Sequence, residues 1–309
     1  MRLPFVLAYI GLVLLTNLPA HATGPYAKIY PGKKVESKSH PAAKTRRLAI
    51  HVVKGDWGNA DPRDIEKLLY SVAQELWAYF PKRSLKPILV VPAAGNPLTQ
   101  YEKGPHGEYI VHLSAKDRRW SQYAYQFAHE FAHILSNYDR HGDKTAAHNQ
   151  WFDEAVCEAA SLFTLRRLAE SWQLSEEAPP YLHWKEYAPA FERYAEHFLE
   201  EAHRRLPAGV TLAAWYREHQ LRLRRDPYLR EKNELVANIL LPLFEENPEY
   251  WGAIGYLNLE EEDATGSFEQ YLANWYRNAP DQYKPFIEKT IRMFGLQPQT
   301  AVAAATSVR

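Results

Sequence analysis

The stretch "YQFAHEFAHILSNY", residues 125–138, decides how this chain is read, because it carries two histidines four apart with a glutamate directly after the first. A helix advances by about 100° per residue, so positions i and i+4 stand nearly above one another. His129 and His133 therefore project from one face, close enough to grip a single ion. Glu130 lies one step around the helix, beside such an ion, where its carboxylate can take a proton from an activated water without being a ligand. Given the chain's own content of histidine and glutamate, this pattern arises by accident in roughly one such chain in twenty-five. More than the motif is needed.

A catalytic zinc takes three protein ligands and leaves one position open, so a third donor should follow on a neighbouring element. The next helical pattern opens "NQWFDEAVCEAASLF", residues 149–163. Glu154 stands near its start and Glu158 one turn further along the same face. The first can ligate. The second can hold the other N–H of a ligating histidine, the outer contact that fixes tautomer and orientation. Trp151, Phe152, Val156 and Ala159 surround these acids, which argues against a fully solvated helix, and buried unpaired carboxylates are costly without a cation. Asp139 is a further candidate ligand, at the start of the turn-rich "DRHGDKTAAHN". His141 and His148, within that loop, read as surface residues. Cys157 is the chain's only cysteine. No intramolecular disulfide can form, and the thiol reads as a small apolar group on a helix.

"HEFAH" followed by "WFDEAVCE" resembles the gluzincin metallopeptidases, the thermolysin-like and aminopeptidase-like group, in which HExxH is followed on a second helix by Asn-Glu-Ala or Asn-Glu-Gly. The first residue of that triplet is Asp153 here and the third is Ala155. The likeness covers about residues 47–172. It implies that His129, His133 and Glu154 bind Zn2+, that Glu130 is the general base, and that Glu158 supports a ligand from behind. It also implies an exposed edge strand that pairs with extended substrate, a place that "EYIVHLS" (108–114) could fill; an internal strand is the equal alternative. Relatives carry an oxyanion donor in a helical half, and "DPYLREKNELVANILLPLFEE" (226–246) resembles the segment that bears it, which makes Tyr228 the first candidate, ahead of His219 and Tyr216. A metzincin is not expected, since Ser136 and Asp139 stand where its glycine and third histidine belong.

The rest of the chain frames this site. Of its 309 residues, 46% are hydrophobic and 24% charged, a globular composition. Thirty-seven basic residues balance 37 acidic ones, so no nucleic-acid partner is expected. Residues 1–22 carry Arg2, an apolar run from Leu3 to Leu15, and small residues Ala20 and Ala22. This reads as an export signal cleaved after Ala22, with a secreted or periplasmic product and no stable membrane insertion. Residues 23–46 read as a flexible basic arm and 296–309 as a frayed tail.

Between them, 47–53, 86–93 and 107–115 read as strands. Helices are expected over 61–80, with Asp61 as N-cap and Pro62 in first position, and over about 118–138 and 150–172. The expected fold class is α+β: a zincin-like catalytic part over 47–180, followed by an all-α part over 181–295. One fragment, "WGAIGY" (251–256) with "ANWYRNAP" (273–280), is similar to a tetratricopeptide repeat. A single copy cannot bury its own face, so a packed helix is the better explanation.

Two functions follow as expectations. The first is an exported zinc peptidase acting on peptide or protein substrates. The second is a non-catalytic zincin-like binding protein that recognises a peptide or cell-wall fragment through its helical half. A third possibility is that no metal binds.

Overall fold

The computed structural model describes residues 48–140, 148–174 and 179–297. The expected export signal, the basic arm, most of the loop at 139–149 and nearly all of the tail lie outside the described residues.

The first described part, through residue 174, pairs one small sheet with three long helices. Strands β1 (Ile50–Val52), β2 (Ile88–Pro92), β3 (Leu98–Thr99) and β4 (Tyr109–Leu113) form a mixed sheet in the order β1-β2-β4-β3. β1, β2 and β4 run parallel, with Ile50 opposite Ile88 and Ile88 opposite Tyr109. β3 runs antiparallel to β4, with Leu98 opposite His112 and Thr99 opposite Val111. The strand expected at 107–115 is thus internal, and the edge beside it is β3, which sequence reading did not assign. The physical reason is length: two paired residues behind Pro97 give no alternation to detect.

Helix α1 (Pro62–Trp77) starts where expected. The Asp61 side chain accepts from the Arg63 amide at 2.8 Å, and Pro62 occupies the first turn, where a missing N–H costs nothing. Its buried stripe of Ile65, Leu68, Leu69, Val72, Ala73 and Leu76 lies at helical spacing. Helix α2 (Trp120–Leu135) carries the motif and is buried at every position from Tyr123 to Leu135, the mark of a central helix rather than a surface one. It stops at Ser136 because Asn137 turns to a left-handed φ of 62°, a conformation asparagine tolerates. There Arg83 donates from Nη2 to the Ile134 carbonyl at 2.8 Å and to Asn137 Oδ1 at 2.7 Å, placing a cation on the negative end of the helix.

Helix α3 (Gln150–Leu174) is 25 residues long, about 37 Å at 1.5 Å per residue. It packs on α2 along one side and, along the other, on α4 (Ala188–Leu199) and α6 (Arg230–Glu246). α5 (Leu212–Arg225), α7 (Phe268–Asn278) and α8 (Lys284–Met293) complete the later part, which contains only helices among its described residues. The result is a mixed α and β protein, with its sheet confined to the first part. Buried side chains of both parts join in one continuous core, with α3 as its shared wall.

Of the fragment similar to a tetratricopeptide repeat, residues 251–256 lie in a 3-10 segment, Pro248–Tyr256, and most of 273–280 lies at the end of α7. Its Trp251 is fully buried, stacked on Phe244 at 3.8 Å between ring centres and against Phe163 at 5.2 Å. Gly252 is required there, since a Cβ would lie 2.1 Å from the Tyr283 hydroxyl and 2.9 Å from the Tyr79 carbonyl. Among the described residues, no helix is long and apolar enough to cross a membrane.

Candidate metal centre

The α2–α3 contact brings three donors to one point. His129 Nε2 lies 3.2 Å from Glu154 Oε2, and His133 Nε2 lies 3.6 Å from Glu154 Oε1. The two imidazoles sit one turn apart with ring centres 5.0 Å from each other. Tetrahedral zinc with bonds of about 2.0–2.1 Å sets its ligand atoms roughly 3.3 Å apart. Each imidazole thus lies near that spacing from one oxygen of the Glu154 carboxylate.

The outer contact falls on a residue that sequence reading had not chosen. His133 Nδ1 lies 2.8 Å from Asp153 Oδ2, so Asp153 fixes the tautomer that turns Nε2 toward Glu154. Asp153 is held in turn by Asn258, whose Nδ2 donates to the Ser136 carbonyl at 3.0 Å and reaches Asp153 Oδ1 at 3.4 Å. Glu158, expected in the supporting role, bonds neither histidine. It accepts from the Tyr125 hydroxyl and pairs with Arg204 Nη1 at 2.9 Å. Position 158 turns toward the later helices, and the cation waiting there could not be read from sequence. His129 Nδ1 has no hydrogen-bond partner among the described residues although it is buried.

Opposite charges meet at this point. Burial alone would depress the His133 pKa, yet Cys157, Glu154 and Asp153 together push it well above the ordinary value. Burial opposes ionisation of Glu154, and His133 and His129 outweigh it, holding its carboxyl below the usual carboxylate range. Both shifts are those of a buried imidazole–carboxylate pair. His129, His133 and Cys157 form a compact donor set, with ligand atoms within 4.8 Å of one another. Its sulfur, however, lies 3.2 Å from His133 Nδ1, the nitrogen already engaged by Asp153. Burial also drives the Cys157 pKa well up, against the pull of His133. The carboxylate set is the better one.

Glu130 is fully buried beside the histidines. Its Oε2 accepts from Thr99 Oγ1 at 2.8 Å, so the unassigned strand β3 supplies its anchor. Oε1 has no partner among the described residues, and burial raises the carboxyl pKa. Both properties suit a group that must take up and release a proton.

Tyr228 reaches the same site from the loop before α6. Its hydroxyl accepts from Gln150 Nε2 at 2.9 Å, and that nitrogen lies 3.4 Å from Glu154 Oε1. Burial, then Glu154, push the Tyr228 pKa upward and keep the phenol a donor. Tyr228, His129 and Glu154 line a pocket together with Glu158, Arg230 and Asn233. The fallback candidates are engaged elsewhere. His219 stacks on Trp215 with ring centres 4.6 Å apart, and Tyr216 packs on Trp151 among aromatic rings. Asp139 pairs with Lys103 at 2.8 Å, and His148 Nδ1 lies 2.7 Å from the Thr265 carbonyl. His141 lies outside the described residues.

The centre is tightly covered: His129, His133 and Glu154 are 4%, 5% and 7% exposed. No protein-family model, curated protein or solved structure matches this chain.

Proposed function

We propose that this chain is a zinc-dependent peptidase of the gluzincin kind, exported to a periplasm or beyond the cell. The observation that carries the reading is that His129 Nε2 and His133 Nε2 approach the two oxygens of the Glu154 carboxylate, Oε2 at 3.2 Å and Oε1 at 3.6 Å, beside a buried carboxylate that is not a ligand. A structural zinc site prefers four protein ligands and has no use for Glu130.

Bound by these three side chains, zinc supplies Lewis-acid chemistry that makes water nucleophilic near neutral pH. Glu130 accepts the proton of the attacking water on its free Oε1 while Thr99 holds Oε2. As the new C–O bond forms and the C–N bond breaks, Glu130 hands that proton to the departing nitrogen. The Tyr228 hydroxyl, positioned by Gln150, donates to the oxygen that gains negative charge. Asp153 keeps His133 in the required tautomer throughout.

A second reading has one observation in its favour: Glu130 is 0% exposed. That suits a non-catalytic binding protein in which the metal helix persists as scaffold and the helical part recognises a peptide or wall fragment. Metal analysis of the purified protein, with digestion of a peptide library by wild type and by Glu130→Gln, separates the two. Zinc together with Glu130-dependent cleavage is the expected result. Zinc without such cleavage overturns the enzyme reading, and absence of zinc overturns both.

A further inference from the structure

Away from the metal ligands, three indole rings, one phenol and one carboxylate border a cavity of about 250 Å³. Trp120 opens α2 upstream of His129, and Trp172 lies near the far end of α3, about 27 Å from Glu154 at 1.5 Å per residue. The 3-10 segment Leu182–Tyr187 supplies Trp184, Glu186 and Tyr187. Trp184 stands in the middle, 5.2 Å from Trp120 and 6.0 Å from Trp172 between ring centres, with tilts of 32° and 33°. Shallow tilts of this kind join the three rings into one continuous wall.

Aromatic clusters that serve packing alone close on themselves, because interiors leave few voids larger than a water molecule. This one does not close. Trp120, Trp184 and Tyr187 stay half-buried around the cavity. The wall is braced from behind: Trp172 is buried and meets Phe191 edge-on at 5.0 Å, and the Tyr187 hydroxyl lies 3.3 Å from Ser121 Oγ. Exposed Glu186 is the charged side chain among the lining residues. Neighbouring cations are engaged elsewhere or stand outside the lining. Lys67 Nζ sits over the Tyr181 ring at 4.0 Å, Arg119 Nε donates to the Lys116 carbonyl at 3.1 Å, and Lys185 does not line the cavity.

The face of an indole ring is negative and attracts a cation placed over it, more strongly than a phenol or phenyl ring does. A carboxylate beside such rings adds to the attraction. A primary ammonium would bring three N–H donors to a wall with few acceptors, whereas a fully methylated nitrogen brings the charge without any donor. A neutral apolar guest would cover Glu186 without pairing it, which is unfavourable. We propose that the cavity formed by Trp120, Trp172, Trp184, Tyr187 and Glu186 binds a quaternary ammonium group. Choline-like small molecules and trimethylated lysine in a peptide both carry this group. Neither zinc nor peptide cleavage is needed for the site to be filled.

The test is calorimetric titration of the purified protein with matched pairs of probes. One pair is choline and its uncharged isostere, in which a tert-butyl group replaces the trimethylammonium. The other is a short peptide with one trimethyllysine and the same peptide with unmodified lysine. In each pair the quaternary probe is expected to bind at least about tenfold more tightly. Choline tighter than the trimethylated peptide assigns a free small molecule as the source, and the reverse order assigns a protein. Trp184→Leu should remove the discrimination. Glu186→Gln, at an exposed position that leaves folding intact, should weaken choline several-fold and leave the uncharged isostere unchanged. Thermal melts of both variants report on folding. Equal affinity within both pairs, no measurable binding of either quaternary probe, wild-type affinity in Glu186→Gln, or binding of an N-acetylglucosamine oligomer in their place overturns the proposal. Absence of zinc or of peptide cleavage bears on the peptidase reading alone.

Discussion

His133 Nδ1 and Asp153 Oδ2 stand 2.8 Å apart across the α2–α3 interface, and this single contact turns the other nitrogen of the ring toward Glu154. Asp153 immediately precedes the acidic ligand on the same helix. In the proposed site, one turn of α3 would thus provide both a donor for the metal and the group that orients another donor.

Removing that contact should loosen the metal. Asp153→Ala should weaken zinc affinity about 10- to 100-fold, read by competition with a coloured chelator. Affinity equal to wild type would show that packing alone holds the ring.

The fully buried Glu130 gives a pH-dependent stability in the metal-free protein. Its folded-state pKa is raised by burial, so the neutral acid is the better-tolerated form inside. The stability this group allows is fully present below the ordinary carboxylate pKa and is lost as pH rises through the elevated one. Glu130→Gln should therefore melt higher than wild type at neutral pH, with the gap closing on acidification. A constant gap across this range would contradict the argument. In the zinc-loaded protein the same change should lower turnover by about 10²–10⁴-fold with metal retained.

Tyr228 is joined to Glu154 through Gln150. Tyr228→Phe should lower kcat about 10²–10³-fold with little change in zinc content, because only the developing oxyanion loses a donor. A large loss of zinc instead would mean that the hydroxyl supports the ligand set.

Arg204 binds the two parts of the chain together. Its guanidinium, wholly shielded from solvent, meets Glu158 of α3, Glu201, and Glu234 of α6. Arg204→Met should cost about 3–5 kcal/mol in urea unfolding, because it strands buried carboxylates. The double variant with Glu158→Gln should recover part of that loss. Strict additivity of the two changes would refute the coupling.

Some of this was legible from residue order alone. The period of α1 and its Asp61-Pro62 start, the strands at 47–53, 86–93 and 107–115, and the shared face of His129 and His133 all follow from local geometry, in which a side chain's direction is set by its distance along one element. Glu154 was within reach because it opens the very next helix. Thr99, Asp153 as orienting group, Asn258 and the Arg204 cluster were not. Thr99 sits 31 residues before Glu130, and Asn258 lies 105 residues beyond Asp153.

What the sequence determined by itself is which side chains share a helical face and which segments must be buried. What the tertiary structure decided is which of those faces meet. Glu154 and Glu158 project from one face of α3, yet the first meets imidazoles and the second a guanidinium. The difference lies in the elements packed opposite each turn, and a one-dimensional period carries no information about a partner that arrives from another part of the chain.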